Sequence, residues 1–435
     1  MLIAKYIPGR YYEELGTSLA LSDVVVTNES LGVRALMTAA SPEMKKQYLP
    51  RVASGDCQVS CDWSLSCHVT STPPLIGQVA WSLAEAKSGS DPAAVETTAT
   101  LVGESWELSG TKTWVSNADT AQLFLVFART RTAEGEEAGE SISCFLVDRA
   151  EVDPDTVLLS PPHKLAGFRG VEACDVQFNK CKIPRSSVLG NVGEGLKIVQ
   201  AVANQNKYLQ TFPVIKYLKS LLNETIEHCN NRQQFSEKLS AFSLVRMQIG
   251  QMSAALYALE SAAYFTAGLA DASLDADIEV ESVITRQLAT DTADTIVTTC
   301  LQLLGAGVNM ESSKYQQHLR DTAVLQSWQG STNINKCFVA ISCLMHLIQH
   351  KPGVADVRQP ANGNMIKAIK YQMNDWRHHV DRVVLPHNLY KCFGHGLQTA
   401  GRRLEWCAHK LPYVAEGLLV NHGANLQLEE VYLAR

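Results

Sequence analysis

The chain is short of charge and has no surplus of the positive sign. Charged residues make up 19% of its 435 positions, and the formal net charge is −6. Nucleic-acid binders neutralise phosphates with excess Lys and Arg, so this balance argues against a nucleic-acid partner. No uninterrupted apolar run reaches the ~18–20 residues that a bilayer span requires. The opening "MLIAKYIPGRYYEELG" lacks both the apolar core of a signal peptide and the Arg/Ser-rich, acid-poor run of a transit peptide. The sequence therefore carries no readable address. Its twelve cysteines contain no CxxC pair, and they read as reduced thiols, mostly small buried hydrophobes. Cys57, Cys61, Cys67 and His68 do not have the spacing of a standard zinc site. Internal repeats and low-complexity segments are missing too.

What remains is a folded chain, 46% hydrophobic, long enough for two to three domains. Its period changes along the way. Residues 1–58 read as helical, with Ser41-Pro42 as an N-cap followed by proline at the first helical position. Residues 79–190 turn to strands: "SWELSGTKTWVS", "AQLFLVFARTRT", "SISCFLVDR" and "CDVQF" are rich in aromatic and β-branched side chains between turn signals. Residues 191–350 are helical again. Val245, Ile249, Met252, Leu256 and Leu259 form a stripe, continued by Val280, Ile284 and Leu288 and by Ile296, Cys300 and Leu304. "HKPGVADVRQPANGN" has no period and reads as a linker, 351–363, before a last helical region, 364–435. That region stops in mid-period at "LEEVYLAR", as a truncated chain would.

Several short stretches carry polar groups in suggestive places, each with a plainer reading. "WSLAEAKSGSD" reads as a strand ending in Ser88-Gly89-Ser90, whose N–H groups and hydroxyls suit a phosphate or ring edge; alone it is a turn. "VLGNVGEGLKIV" is a glycine-rich helix entry, read as a hinge because it lacks the dinucleotide spacing. "CNNRQQFSEKL" places Arg232 at a helix start beside Phe235, and "CLQLLGAGVN" ends a helix at Gly305 in a left-handed residue. His346 and His350 stand four apart without the Glu of a zinc helix. Basic residues at 358, 367, 370, 377 and 382 form a mildly amphipathic stretch, a solvated face or a membrane-surface helix.

Together and in this order, these stretches resemble the acyl-CoA dehydrogenase family. The match runs through "SLAEAKSGSD", "TKTWVSN", "KLAGFRGVEACDVQFNKCKIP", "NRQQF", "QLLGAG" and "RDTAVLQSWQGSTNI", covering roughly 20–350. The tail "LPHNLYKCFGHGLQTAGRRLEWCAHKL" is similar to the subgroup with an extra C-terminal helical domain, which holds the very-long-chain enzymes and family member nine. The resemblance implies an α+β fold: a helical N-terminal domain, a central β domain and a C-terminal four-helix bundle, extended by further helices. It implies FAD between β domain and bundle, with Trp114 and Ser116 at the flavin ring, Ser90 toward the phosphates, and Ser331 also at the cofactor. Arg232, Phe235, Gln302 and Gly305 would hold the adenosine half of FAD bound mainly to a second subunit, in a homodimer. It further implies a long-chain acyl-CoA substrate, electron-transfer flavoprotein as acceptor, and a mitochondrial location in the matrix or at the inner membrane.

One position breaks the pattern. In this subgroup a glutamate just ahead of Gly-Thr removes the substrate α-proton, and here the matching residue is Gln329. An amide cannot accept that proton. Losing a general base costs ~10²–10⁴-fold, or roughly 3–5.5 kcal/mol of barrier. The alternative family station for the base holds Asn206. Ala84, Ala86, Lys207 and Ala306 also depart from the pattern. Three expectations follow: a dehydrogenase with impaired proton abstraction, a non-catalytic flavoprotein scaffold such as one binding respiratory complex I assembly factors, or an acyl-CoA binder without turnover. Residues 59–78 have no counterpart in the family. Removing them would join "GDCQ" to "VAWSLAEAKSGSD", so they read as an insertion, an unspliced intron in the coding sequence, above a remnant helical domain at 1–58.

Overall fold

A computed structural model describes residues 6–54, 79–132, 141–204, 207–272, 276–350 and 388–422. The chain divides into two units, 1–332 and 333–435. Each is described by itself.

The first unit opens with helices α1 (Tyr6–Leu15) and α2 (Leu19–Thr27). The Ser18 side chain caps α2 by accepting from Leu21 N–H at 3.4 Å. A π-helical turn, Asn28–Val33, joins α2 to α3 (Arg34–Ala39). Next comes α4 (Pro42–Ser54), where Ser41 Oγ accepts from Met44 N–H at 3.2 Å and Pro42 takes the first turn, as the sequence implies. Asn28 accepts from Val79 N–H at 2.8 Å, tying the π turn to the first strand. Gly32 lies against the same residue: a Cβ there would sit 2.7 Å from Val79 Cβ, so only glycine permits the approach.

The β domain begins with β1 (Val79–Ser82), β2 (Thr98–Val102), β3 (Ser105–Ser116), β4 (Leu123–Thr132) and β5 (Ile142–Asp148). It closes with β6 (Val157–Leu159), β7 (Ala173–Pro184) and β8 (Val188–Leu189). The order is β6-β7-β3-β2-β4-β5-β8, with β1 pairing parallel to the first half of β4 and β2 parallel to its second half. Strand alternation divides β4 between two cores. Leu123, Leu125 and Phe127 pack with Leu36, Met44 and Tyr48 of the helices. Phe124, Val126 and Ala128 pack with Trp106 and Phe145 inside the sheet.

After α5 (Gly195–Val199) come the long helices α6 (Thr211–Asn231), α7 (Ser243–Ala272) and α8 (Glu279–Leu304), then α9 (Tyr315–Leu325). Their core joins Phe212, Leu218, Leu221, Met252, Leu259 and Ile296. The stripe expected on α7 is buried from Met252 onward. On α8 the expectation holds in part: Ile296 and Cys300 are buried and Leu288 and Leu304 pack against the same core, but Ile284 is exposed, and around it Ser282, Val283, Thr285, Arg286, Ala289 and Thr290 face inward. The mixed polar inner face of the first half of α8 interrupts the apolar period there. A short hairpin, β9 (Gln233–Gln234) and β10 (Glu237–Lys238), links α6 to α7.

The second unit contains α10 (Thr332–His350) and α11 (Gln398–His422). The proposed insertion 59–78, the linker 351–363, the basic stretch 358–382 and Asn206 lie outside the described residues. No helix among those described is long and apolar enough to cross a membrane. Among the described residues no His, Cys, Asp and Glu gather into a group able to hold a metal.

Candidate functional site

Two groups of residues hold most of the positions singled out from the sequence. The first surrounds the C-terminal half of β3. Its pairing with β7 slips between Lys112 and Val115, a bulge that turns Trp114 to φ 57. A tryptophan at positive φ stores strain of order 1–3 kcal/mol, which persists only where the surroundings impose it. Its ring is 55% exposed and lies 4.7 Å from the His163 ring, with Ser116 two residues on. Thr113 N–H donates to Ala84 O at 2.9 Å, while the Thr113 hydroxyl is buried with no partner among the described residues.

The loop carrying Ser90 is held to this strand from below. β1 ends at Ser82, so Ser88-Gly89-Ser90 do not end a strand as expected; they form a loop closed by reciprocal Glu85 and Ser88 backbone hydrogen bonds. Within it the Glu85 carboxylate meets the Lys112 ammonium at 2.7 Å, with Lys112 fully buried. Glu85 also accepts from Glu96 N–H at 2.6 Å, Thr97 N–H at 3.0 Å and Thr97 Oγ at 2.6 Å. Burial raises the Glu85 pKa, but these donors outweigh it and leave the carboxyl below its usual range. Burial pushes Lys112 down to about 8, against the pull of Glu85.

The second group lies where α2 meets the turn after α9. Gln329 sits at φ 57 and Gly330 at φ 116, so this turn reverses through two left-handed residues. The Trp328 indole donates to Asp23 Oδ2 at 2.9 Å and meets Phe168 edge-on at 6.1 Å. The Gln329 amide donates to Thr27 Oγ and its oxygen accepts from the Gln210 amide. Thr27 Oγ in turn donates to Asp23 Oδ1 at 3.1 Å. On the other side, Arg286 Nε donates to Gln210 Oε1 at 3.1 Å, and Arg286 Nη2 donates to Leu325 O at 3.1 Å and Trp328 O at 3.4 Å. Burial raises Asp23 to about 6 and would raise it further without Thr27, Trp328 and Arg286. Burial lowers Arg286 to about 10, so it stays charged at neutral pH. Lys207 behind it is pushed down to about 8 by burial and by Arg286. A cavity of about 20 Å³ opens beside this group, lined by Ser22, Asp23, Phe168, Gln210, Arg286 and Trp328 among others. That is room for about one water.

The remaining expected residues stand at helix ends. Arg232 does not start a helix; it caps the C-terminus of α6, its N–H bonded to His228 O at 2.8 Å, and leads into the β9–β10 hairpin. Phe235 occupies the hairpin turn at φ 54 and is 92% exposed. Gln302 is exposed in the last turn of α8, and Gly305 ends that helix at φ 85, ψ −169. That positive φ is not the left-handed cap expected, since ψ lies far from it. Cys300 lies against Thr225 and Cys229, so the ends of α6 and α8 are side by side. Ser331 is half-buried next to Gly330. Sequence reading missed Asp23, Thr27, Gln210 and Arg286.

The middle-domain model of the acyl-CoA dehydrogenase family matches residues 80–181, and its C-terminal domain model matches residues 193–344. The chain belongs to the acyl-CoA dehydrogenase family. It is similar to the mitochondrial very long-chain specific acyl-CoA dehydrogenase of Mus musculus, 27% identical over 356 residues, 81% of this chain and 50% of that protein. It is also similar to a probable acyl-CoA dehydrogenase of Mycobacterium leprae (strain TN), 24% identical over 76% of this chain and 78% of the other. The chain spans about half the length of the very-long-chain relatives it matches. Among solved structures, an acyl-CoA dehydrogenase complexed with FAD from Bacillus anthracis superposes with a TM-score of 0.78 at 21% identity, covering 97% of this chain and 67% of that one. Butyryl-CoA dehydrogenase from Megasphaera elsdenii gives 0.66 at 19% identity, covering 77% and 80%. These neighbours share the fold.

Proposed function

We propose that the protein is an FAD-binding member of the family, of the long-chain acyl-CoA class, in which α,β-dehydrogenation is impaired because position 329 is an amide. The residues present fit the flavin. The strained and exposed Trp114, with Ser116 beside it, forms a surface with an aromatic face and a hydroxyl edge. Trp114, Ser116, Ser90 and Ser331 would hold one FAD, and Arg232, Phe235, Gln302 and Gly305 would reach the adenosine half of a second subunit's FAD in a homodimer. When bound, FAD supplies a two-electron hydride acceptor.

The carrying observation is the state of Gln329. Its nitrogen donates to Thr27 and its oxygen accepts from Gln210, so the side chain is neither basic nor free to turn. Proton removal from an acyl thioester has no acceptor at this station. The adjoining cavity, about 20 Å³, falls far short of the ~300–1,000 Å³ of a typical ligand pocket. That closure favours a second reading, a non-catalytic flavoprotein in which the fold serves as a scaffold, with respiratory complex I assembly factors as candidate partners. Similarity to mitochondrial relatives supports a mitochondrial location, and electron-transfer flavoprotein is the acceptor if turnover occurs.

An anaerobic titration tests the reading. FAD-loaded protein is mixed with palmitoyl-CoA and the flavin absorbance followed. Retention of FAD with little or no bleaching is expected. Rapid bleaching would overturn impaired proton abstraction, and failure to retain FAD would overturn the flavoprotein reading.

A further inference from the structure

The hydrogen bonds around Gln329 all run in one direction. Arg286 donates to Gln210, Gln210 to Gln329, Gln329 to Thr27, and Thr27 to Asp23. A guanidinium stands at one end of the chain and a carboxylate at the other, with two amides and a hydroxyl between. Thr27 has one proton. While it gives that proton to Asp23, it can only accept from position 329. Position 329 must therefore accept from Gln210 and donate to Thr27 at once. A glutamine does both. A carboxylic acid also does both, through its C=O and its O–H. An ionised carboxylate cannot donate, and would face the acceptor side of Thr27 with Asp23 beyond it.

We propose that Asp23 is a positioning residue that, through Thr27, forbids an ionised carboxylate at position 329. The buried negative charge of this cleft resides on α2, and the turn after α9 is left to carry a neutral group. This rests on reading position 329 as the base station, and it changes what Gln329→Glu does. That substitution alone does not restore a base: the introduced carboxyl stays protonated and takes over the hydrogen bonds of the amide. Asp23→Asn releases the constraint. The new amide accepts from Trp328 and donates to Thr27, and Thr27 then turns its proton toward position 329. In the double variant the carboxylate accepts from Thr27 and Gln210, and Arg286 keeps one counter-charge. The charged group facing Asp23 is Arg286 from α8, a cation that does not reproduce the effect of Asp23; Lys207, at the entry to α6, interacts with Arg286 and Glu279 instead.

The test compares Gln329→Glu with Asp23→Asn/Gln329→Glu in the full chain by infrared difference titration, reading the C=O band of a protonated carboxyl. The band of the introduced group is expected to persist through pH 7 in the single variant and to disappear near the ordinary glutamate range, about 4.3, in the double variant. The same titration in both would overturn the proposal. The native protein offers a check that needs no foreign carboxyl. The 15N-labelled Gln329 side-chain resonance should shift as Asp23 titrates near 6, and Thr27→Val should abolish the shift. A Gln329 signal that ignores Asp23 in native protein would overturn the coupling as well. With FAD and palmitoyl-CoA, the double variant should bleach ~10²-fold or more faster than the single one. Flavin that bleaches in neither variant, while the carboxyl titrations differ as stated, would sink the dehydrogenase reading and leave the coupling standing.

Discussion

Changing Glu85 to Gln keeps the shape of the loop that carries Ser90 and removes one charge from beneath it. Lys112 then remains fully buried with its nearest carboxylate gone. The new amide also turns N–H toward one of four donors, since Lys112, Glu96 N–H, Thr97 N–H and Thr97 Oγ all point at the native carboxylate. Removing one partner of a buried ion pair costs about 3–5 kcal/mol. The upper end is set by the escape open to Lys112: holding an ordinary lysine neutral at pH 7 costs about 5 kcal/mol. Native Lys112 loses its proton only near 8. Between pH 7 and 8 the variant therefore gains stability relative to native protein, because its folded state has already given up the proton that its unfolded state retains. The assay is urea unfolding of the full chain, followed by tryptophan fluorescence at pH 7 and 8, with FAD content measured on the same preparations. A deficit of about 3–5 kcal/mol at pH 7 that narrows at pH 8, with loss of bound FAD, is expected. A deficit below about 1 kcal/mol, the size of an exposed pair, would refute the burial argument.

Asp23→Asn should remove a pH dependence of stability. The native carboxyl is raised from 3.8 to about 6, so its contribution is fully present below 3.8 and lost as the pH rises through 6, about 3 kcal/mol in all. Urea midpoints of native and variant protein between pH 3.5 and 7.5 check this; parallel curves would contradict it. Trp114→Gly should cost less than about 1 kcal/mol of stability, because glycine adopts the positive φ without strain and the ring is half-exposed, yet weaken FAD retention by about tenfold or more. Equilibrium dialysis reads the second effect. Phe235→Ala should leave unfolding within about ±0.5 kcal/mol of native while weakening self-association in sedimentation, since its side chain touches little within one chain.

The strand region 79–190 was legible because alternation and turn residues are local signals, and β1 to β8 lie within 79–189, whereas the two-residue strands β9 and β10 are too short to show a period. Ser41-Pro42 was legible for the same reason. Arg232 was misplaced because "NNRQQFSEKL" has the polarity of a helix start, and only the end of α6 shows that it closes one helix. On α8 the stripe Ile296 and Cys300 was legible, but the inner face of the first half was not, because its buried residues include Arg286, paired with Thr290, and Thr285, paired with Thr266 of α7, which interrupt the apolar period. Gln329 was singled out through its flanking residues. Its partners could not be: Thr27 and Asp23 lie 302 and 306 residues earlier, in "LALSDVVVT", where a single acid among valines carries no local signal. Long-range hydrogen bonds have no period. They become visible only once helices at opposite ends of the unit are seen side by side.

Exchange of the α-protons of palmitoyl-CoA into D₂O, followed by mass spectrometry on FAD-loaded protein, isolates proton abstraction from every later step. With an amide at position 329, exchange should proceed no faster than in buffer containing heat-denatured protein. Enzyme-dependent incorporation of deuterium at the α-carbon in the native chain would show a working base in this cleft and contradict the account.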